Sequence, residues 1–137
     1  MREILFRGQN KDGQLLYGER TDIGKWVYGS LVVDRNKIYM IEEIFSMSEI
    51  ELEVIPIIPD TVGQYTGLKD CKGTRIFEGD IVRYGEFNHK PEPYIEIGYI
   101  IYKYGGFCIM PSDDFAWAEI DLEVIGNLWD TPELLEG

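Results

Sequence analysis

Apolar and polar residues alternate with a period of two along much of the chain, in short runs separated by glycine, proline, asparagine and aspartate. A period of two places successive side chains on opposite faces of an extended strand, so the pattern predicts strands. Ile4 to Arg7 reads as a short strand. Asn10-Lys11-Asp12-Gly13 reads as a turn, because Asp-Gly accommodates positive φ cheaply, and Gln14 to Tyr17 reads as its return. Trp26 to Val33 is a clearer strand, with Trp26, Tyr28, Ser30 and Val32 on one side and Val27, Leu31 and Val33 on the other. Gly29 interrupts the second set, which signals a bulge or a close backbone approach. Asp34-Arg35-Asn36-Lys37 closes a hairpin, and Ile38 to Ile41 returns from it. Residues 42–50 fit two patterns: Ile41, Ile44 and Phe45 have helical spacing, whereas Glu51 to Ile57 alternates. Pro56 and Pro59 end that strand and mark an internal boundary.

The second half carries more punctuation. Val62 to Thr66 is a short strand, Lys69-Asp70-Cys71-Lys72-Gly73 a turn, and Arg75 to Phe77 a short strand. Glu78-Gly79-Asp80 is a tight corner into Ile81 to Tyr84. Residues 85–93 form a polar loop, Pro93 to Tyr104 the longest extended run, and Gly105-Gly106 a turn into Phe107 to Met110. Leu122 to Ile125 is the last strand. At the end, Thr131 is placed as an N-cap, Pro132 as the first helical residue, and Glu133 at the positive helix end. Leu134 and Leu135 would dock that single turn. Tyr65, Ile76, Ile81, Val82, Ile100, Val124 and Ile125 are expected to share one core. Strands this short with turns this regular predict an all-β, closed or half-closed small barrel. It would be a single domain over residues 1–137, with an N-terminal strand and hairpin part at 1–59, a barrel-like part at 60–137, and one short C-terminal helical turn.

Composition agrees with sheet, since aromatics make up 13% of 137 residues and apolar residues 45%. Charge narrows the partners. The net charge is −12, which disfavours duplex DNA because affinity for it rests on neutralised phosphates. The charge is also uneven. Residues 1–37 hold seven basic and five acidic side chains, and the remainder holds six and twenty. A mildly basic N-terminal face against an acidic C-terminal face of a second copy would use that split. The small N-terminal strand set would then leave Trp26, Tyr28 and Tyr39 near an exposed edge. Two cysteines, Cys71 and Cys108, are too few for a disulfide framework or a zinc site. Both read as reduced, which points to a cytosol. The opening meets a charge again at Arg7 after three apolar residues, unlike a secretory leader, and the apolar runs are too short for a membrane-spanning helix.

Three stretches resemble the YopX family. The first is Arg2 to Gly8 followed by Lys25-Trp26-Val27-Tyr28-Gly29. The second is Asp60-Thr61-Val62-Gly63-Gln64-Tyr65-Thr66-Gly67-Leu68-Lys69-Asp70, running on to Gly73 and Ile76 to Val82. The third is Leu122 to Asn127, then Thr131 to Leu135. The blocks follow the family's order and span nearly the whole chain. Cys71 and Lys72 depart from the family's generic polar pair, and Ile41 to Pro59 matches no pattern of it. The resemblance implies an all-β pseudo-barrel, a phage or prophage setting in a bacterial cytosol, and no catalytic residue.

The candidate chemistry is sparse. The Gln64 to Asp70 block has the residues for a small polar pocket, yet Gly63, Gly67 and Asp70 are ordinary turn residues and Tyr65 and Leu68 ordinary core. It is no phosphate loop, since Thr74 stands where a lysine is required. Asp80 lacks a positioned acid–base partner and is expected to accept backbone N–H bonds. The acidic pairs Asp113-Asp114, Glu42-Glu43 and Glu51/Glu53 lack the spacing of a cation loop. His89, the one histidine, cannot build a zinc site. Tyr94, Tyr99, Tyr102, Tyr104, Phe107, Phe115 and Trp117 are better explained by core packing and self-association than by base stacking, which also needs a basic groove. No catalytic, cofactor or metal residue is assigned. The expected function is a non-enzymatic accessory protein of phage or prophage type that binds protein: a second copy of itself and a host or phage protein. The alternative is a nucleic-acid-related small barrel, either a single-strand binder or an acidic DNA mimic. A small hydrolase would need a nucleophile or acid–base pair that the chain does not offer.

Overall fold

A computed structural model describes residues 3–12, 23–45, 50–86, 91, 94–111 and 121–136. Among them are ten strands: β1 Phe6–Gln9, β2 Trp26–Asp34, β3 Lys37–Phe45, β4 Ile50–Pro56, β5 Gly63–Lys69, β6 Arg75–Phe77, β7 Asp80–Glu86, β8 Tyr94–Lys103, β9 Gly106–Met110 and β10 Asp121–Asn127. Two 3-10 turns, Pro59–Thr61 and Pro132–Glu136, complete the described elements. All pairings between strands are antiparallel, in sheets of order β4-β3-β2-β1-β5-β6 and β10-β7-β8-β9. The all-β class holds, but no closed barrel forms among the described residues: β4 and β6 are the outer strands of one sheet, β10 and β9 of the other. Closure depends on strand tilt and stagger, and short strands with frequent turns serve open sheets equally well. The chain divides into two units, Met1–Gln64 and Tyr65–Gly137, where the sequence pattern had placed halves at 1–59 and 60–137.

In the first unit the alternation on β2 sets the packing. Val27 turns inward and Tyr28 outward, and the register carries that parity across β3 and β4. Val27, Met40, Ile55 and Ile57 form the core, with Phe6, Leu31, Ile38 and Val62 packed against it. Gly29 lies on the core face, where a Cβ would come 2.1 Å from the Ile41 carbonyl oxygen. Of the two readings of this glycine, the close backbone approach is the one found. At residues 42–45 and 50 the helical spacing is overridden, since β3 continues to Phe45 and pairs with β4 from Tyr39↔Pro56 to Phe45↔Ile50, while 46–49 lie outside the described residues. Three apolar residues are too few to nucleate a helix against a ladder that satisfies the same backbone groups. The first strand starts two residues later than the apolar run suggested, leaving Ile4 exposed. The expected return strand Gln14 to Tyr17 lies outside the described residues.

In the second unit Ile76, Val82, Tyr84, Ile100, Ile109 and Leu122 form the core, with Phe107 and Val124 against it. Of the seven residues expected there, Ile76, Val82 and Ile100 belong to it, and Val124 borders it half-buried. Tyr65 is buried against Phe77, ring centroids 5.5 Å apart. Ile81 is fully buried but lies on the opposite face of β7 from Val82. Ile125 is half-buried because the ladder slips between Val124 and Gly126, so it sits in a bulge. Leu68, expected inside, is exposed beyond the irregularity that Gly67 introduces between Tyr65 and Lys69. The β8–β9 turn is Tyr104-Gly105, one residue earlier than read, with Gly106 already paired to Lys103. At the C-terminal turn only Leu134 packs, over Gly126; Leu135 is exposed. Thr131 does not cap that turn with its hydroxyl. Its Oγ accepts from the Asn127 N–H at 3.1 Å and donates to the Asn127 carbonyl.

Candidate functional site

The outward face of the first unit groups apolar side chains from neighbouring strands. Tyr28, Ser30 and Val32 point outward from β2. Val32 stands opposite Tyr39, Ser30 opposite Ile41, Ile41 opposite Val54, and Tyr39 opposite Pro56. Tyr28, Val32 and Val54 are 44%, 40% and 41% exposed, while Tyr39, Ile41 and Pro56 are half-buried. Apolar surface grouped in this way is the kind that marks contact with another molecule. Trp26 shares the face but is half-buried, with the Arg7 guanidinium 4.6 Å above its ring. Trp26, Tyr28 and Tyr39 therefore do not line an exposed edge, as the sequence suggested. They sit on β2 and β3, both flanked by neighbours, and what they expose is a face.

A cleft of about 170 Å³ opens beside this face, lined by Lys11, Asp12, Asn36, Lys37, Ile38, Tyr39, Pro56, Ile57 and Pro59. Its walls are cross-braced by backbone. Asn10 bridges Ile57, the Lys11 N–H donates to the Pro56 carbonyl at 2.9 Å, and the Ile57 N–H donates to the Ile38 carbonyl at 2.9 Å. Of its lining residues Ile57 is buried, while Lys11, Asp12 and Lys37 are exposed. Sequence reasoning missed this cleft. Its only trace was the basic excess of residues 1–37, because three distant segments converge to build it.

The second unit spends its tempting polar residues on its own backbone. In the Gln64 to Asp70 block, the Thr66 hydroxyl donates to the Ile76 carbonyl and accepts from the Leu68 N–H. Asp70 accepts three N–H bonds, from Lys72 at 2.9 Å, Thr74 at 2.8 Å and Val124 at 2.9 Å, which clamps the turn to β10. Asp80, buried, accepts from the Phe77 N–H at 2.7 Å, as its turn position implied. Glu123 receives Lys72 at 2.8 Å and Arg83. Those two bonds hold its carboxyl below the ordinary carboxylate range, the Lys72 bond foremost. The Tyr94 hydroxyl donates to Glu96, and bonds from Tyr94 and then Tyr84 lower the Glu96 carboxyl likewise.

Register rearranges the acidic pairs. Glu42 stands opposite Glu53, and Glu43 opposite Leu52. Among the described residues no group of three or more His, Cys, Asp or Glu converges to hold a metal ion. His89, Asp113, Asp114, Phe115 and Trp117 lie outside the described residues. Of the remaining aromatics, Tyr94, Tyr102 and Tyr104 are exposed, Tyr99 and Phe107 half-buried, and Tyr102 packs edge-on to Phe107 at 5.2 Å. Both cysteines are free, Cys71 exposed and Cys108 buried. No helix among the described residues is long and apolar enough to cross a membrane.

The YopX protein family matches residues 6–136. The chain belongs to that family. Its function is unassigned. A solved structure, the crystal structure of protein EF1440 from Enterococcus faecalis, shares the fold at a TM-score of 0.64 and 24% identity, over 98% of this chain and 99% of that one. A comparison with curated proteins finds no match. Several scaffold bonds use residues of the YopX blocks. Thr61, for example, accepts from the Gln9 N–H at 2.8 Å and donates to the Ile58 carbonyl at 2.7 Å. The cleft and most of the outward face instead draw on residues outside the blocks, such as Lys11, Lys37, Tyr39 and Val54.

Proposed function

We propose that this YopX chain is a non-enzymatic accessory protein, of the phage or prophage type that the family resemblance implies, which works by binding protein. Its partners are further copies of itself and a host or phage protein, met in a bacterial cytosol. The supporting observation is the outward face of β2, β3 and β4, where Tyr28, Val32 and Val54 lie exposed together on one side of a packed sheet. Tyrosine is enriched among the residues that anchor interfaces, and Tyr28 is the aromatic this face exposes. The carboxylates and hydroxyls of the YopX blocks support the non-enzymatic reading, because Thr61, Thr66, Asp70 and Asp80 are engaged with backbone. Light scattering at tens of micromolar, at low and high salt, tests it. Association should persist at high salt, since apolar contact is not screened, and Val32→Asp should weaken it. Capture of a partner from a bacterial lysate should fall with the same variant. A clean monomer at both salts, together with capture that ignores Val32→Asp, overturns the reading.

A further inference from the structure

Among the described residues β10 is an outer strand of its sheet, and an outer strand offers N–H and C=O groups on which another chain can pair. The middle of β10 does not offer them. The Leu122 carbonyl accepts from the Cys71 N–H at 2.9 Å. The Val124 N–H, next along the same edge, donates to Asp70 Oδ2 at 2.9 Å. Between them the Glu123 carboxylate receives Lys72 at 2.8 Å. Three consecutive turn residues, Asp70, Cys71 and Lys72, thus hold three consecutive residues of β10, all within the second unit.

The two carboxylate oxygens of Asp70 have separate tasks. Oδ1 accepts from the Lys72 and Thr74 N–H groups at 2.9 and 2.8 Å, which shapes the turn. Oδ2 reaches β10 and takes the N–H that a neighbouring strand's carbonyl would otherwise take. The turn is tied to the strand by polar bonds and not by apolar burial, since Cys71, Lys72, Gly73 and Thr74 are all exposed. A segment held in this way opens locally, at less cost than unfolding the core.

We propose that the Asp70–Cys71–Lys72 turn is an intramolecular guard on the β10 edge, latched by Asp70 Oδ2, and that opening it lets the edge pair with a strand of a second copy. This contact is separate from the outward face of β2, β3 and β4 and does not rest on it. The guard keeps an edge that would otherwise add strands closed in the folded chain.

Asp70→Asn tests the latch. Its amide oxygen can stay on the two turn N–H groups, while its NH2 meets the Val124 N–H, donor against donor. The turn is kept and the edge released. Measurements are made in the Val32→Asp background, which weakens any contact through the sheet face. There Asp70→Asn should speed exchange of the Val124 amide at least about tenfold, read by NMR. Its mean mass by light scattering, at tens of micromolar, should rise about twofold or more above the Val32→Asp parent. Adding Val124→Pro removes the N–H that a new strand would take, a change that an outer edge tolerates, and should return the mass to the parent value. Ile100→Ala in the same background loses stability with the turn intact and should leave the mass unchanged. A Val124 amide that exchanges no faster in Asp70→Asn, or a mass that does not rise, overturns the proposal. So does an equal rise with Ile100→Ala, which would trace association to lost stability in general. If the Val124→Pro protein fails to fold by circular dichroism, the contrast between Asp70→Asn and Ile100→Ala decides. A Val32→Asp parent that still associates counts against the sheet-face reading alone, because the guard is read as a change from that parent.

Discussion

At the scale of single residues, the polar side chains that first suggest chemistry hold the backbone together. Asp70 is the clearest case, with three N–H groups from two chain segments converging on one carboxylate. Removing an acceptor from partly buried donors costs more than forming the bond gained. Asp70→Ala should therefore lose about 1–3 kcal/mol of stability, read as a shift in urea midpoint, with Asp70→Asn losing less because one oxygen remains. Gly79 combines φ 91 with a Trp129 ring carbon 2.3 Å from where a Cβ would stand, so alanine there meets both backbone strain and a clash. Glu123 gives a pH dependence. Its carboxyl is lower in the folded state than in the unfolded chain. The stability it contributes is then present above the unfolded value of about 4.3 and lost as pH falls through the lower folded value. Glu123→Gln should accordingly show a shallower loss of stability on acidification below about pH 4.3 than the unchanged protein, in urea melts taken at each pH.

At the scale of elements, alternation separated the two sides of β2. Val27 and Leu31 fall on the core side with Tyr28 and Val32 opposite, whereas Val33, grouped with the first pair, is 60% exposed near the strand's end. Alternation failed where the ladder slips, as at Ile125 in the β10 bulge, because no side-chain pattern records an extra residue in one strand. The difference is measurable. Ile100, fully buried in the second core, should lose about 2–4 kcal/mol on truncation to Ala, whereas Ile125→Ala should cost clearly less. Equal costs, by chemical denaturation, would show that the bulge residue packs as a core residue does.

At the scale of the whole molecule, the net charge of −12 governs what long-range forces favour. The basic side chains are few, and Lys72 and Arg83 are paired to Glu123. Duplex DNA should therefore not bind measurably at physiological salt. A gel shift showing micromolar, salt-sensitive binding would contradict this and favour the nucleic-acid alternative.

The sequence by itself determined the all-β class, the YopX membership, most strand positions and the grouping of Tyr28 with Val32 on one side of β2. Each of these rests on local patterns: a period of two, turn residues at fixed offsets, and blocks in order. Tertiary structure decided that the sheets stay open among the described residues, that Glu42 faces Glu53, and that Lys11, Lys37 and Pro56 converge on one cleft. Those outcomes depend on strand stagger and on pairings between residues far apart in the chain. Hydrogen-bond register fixes both, and neither leaves a mark within any one short segment.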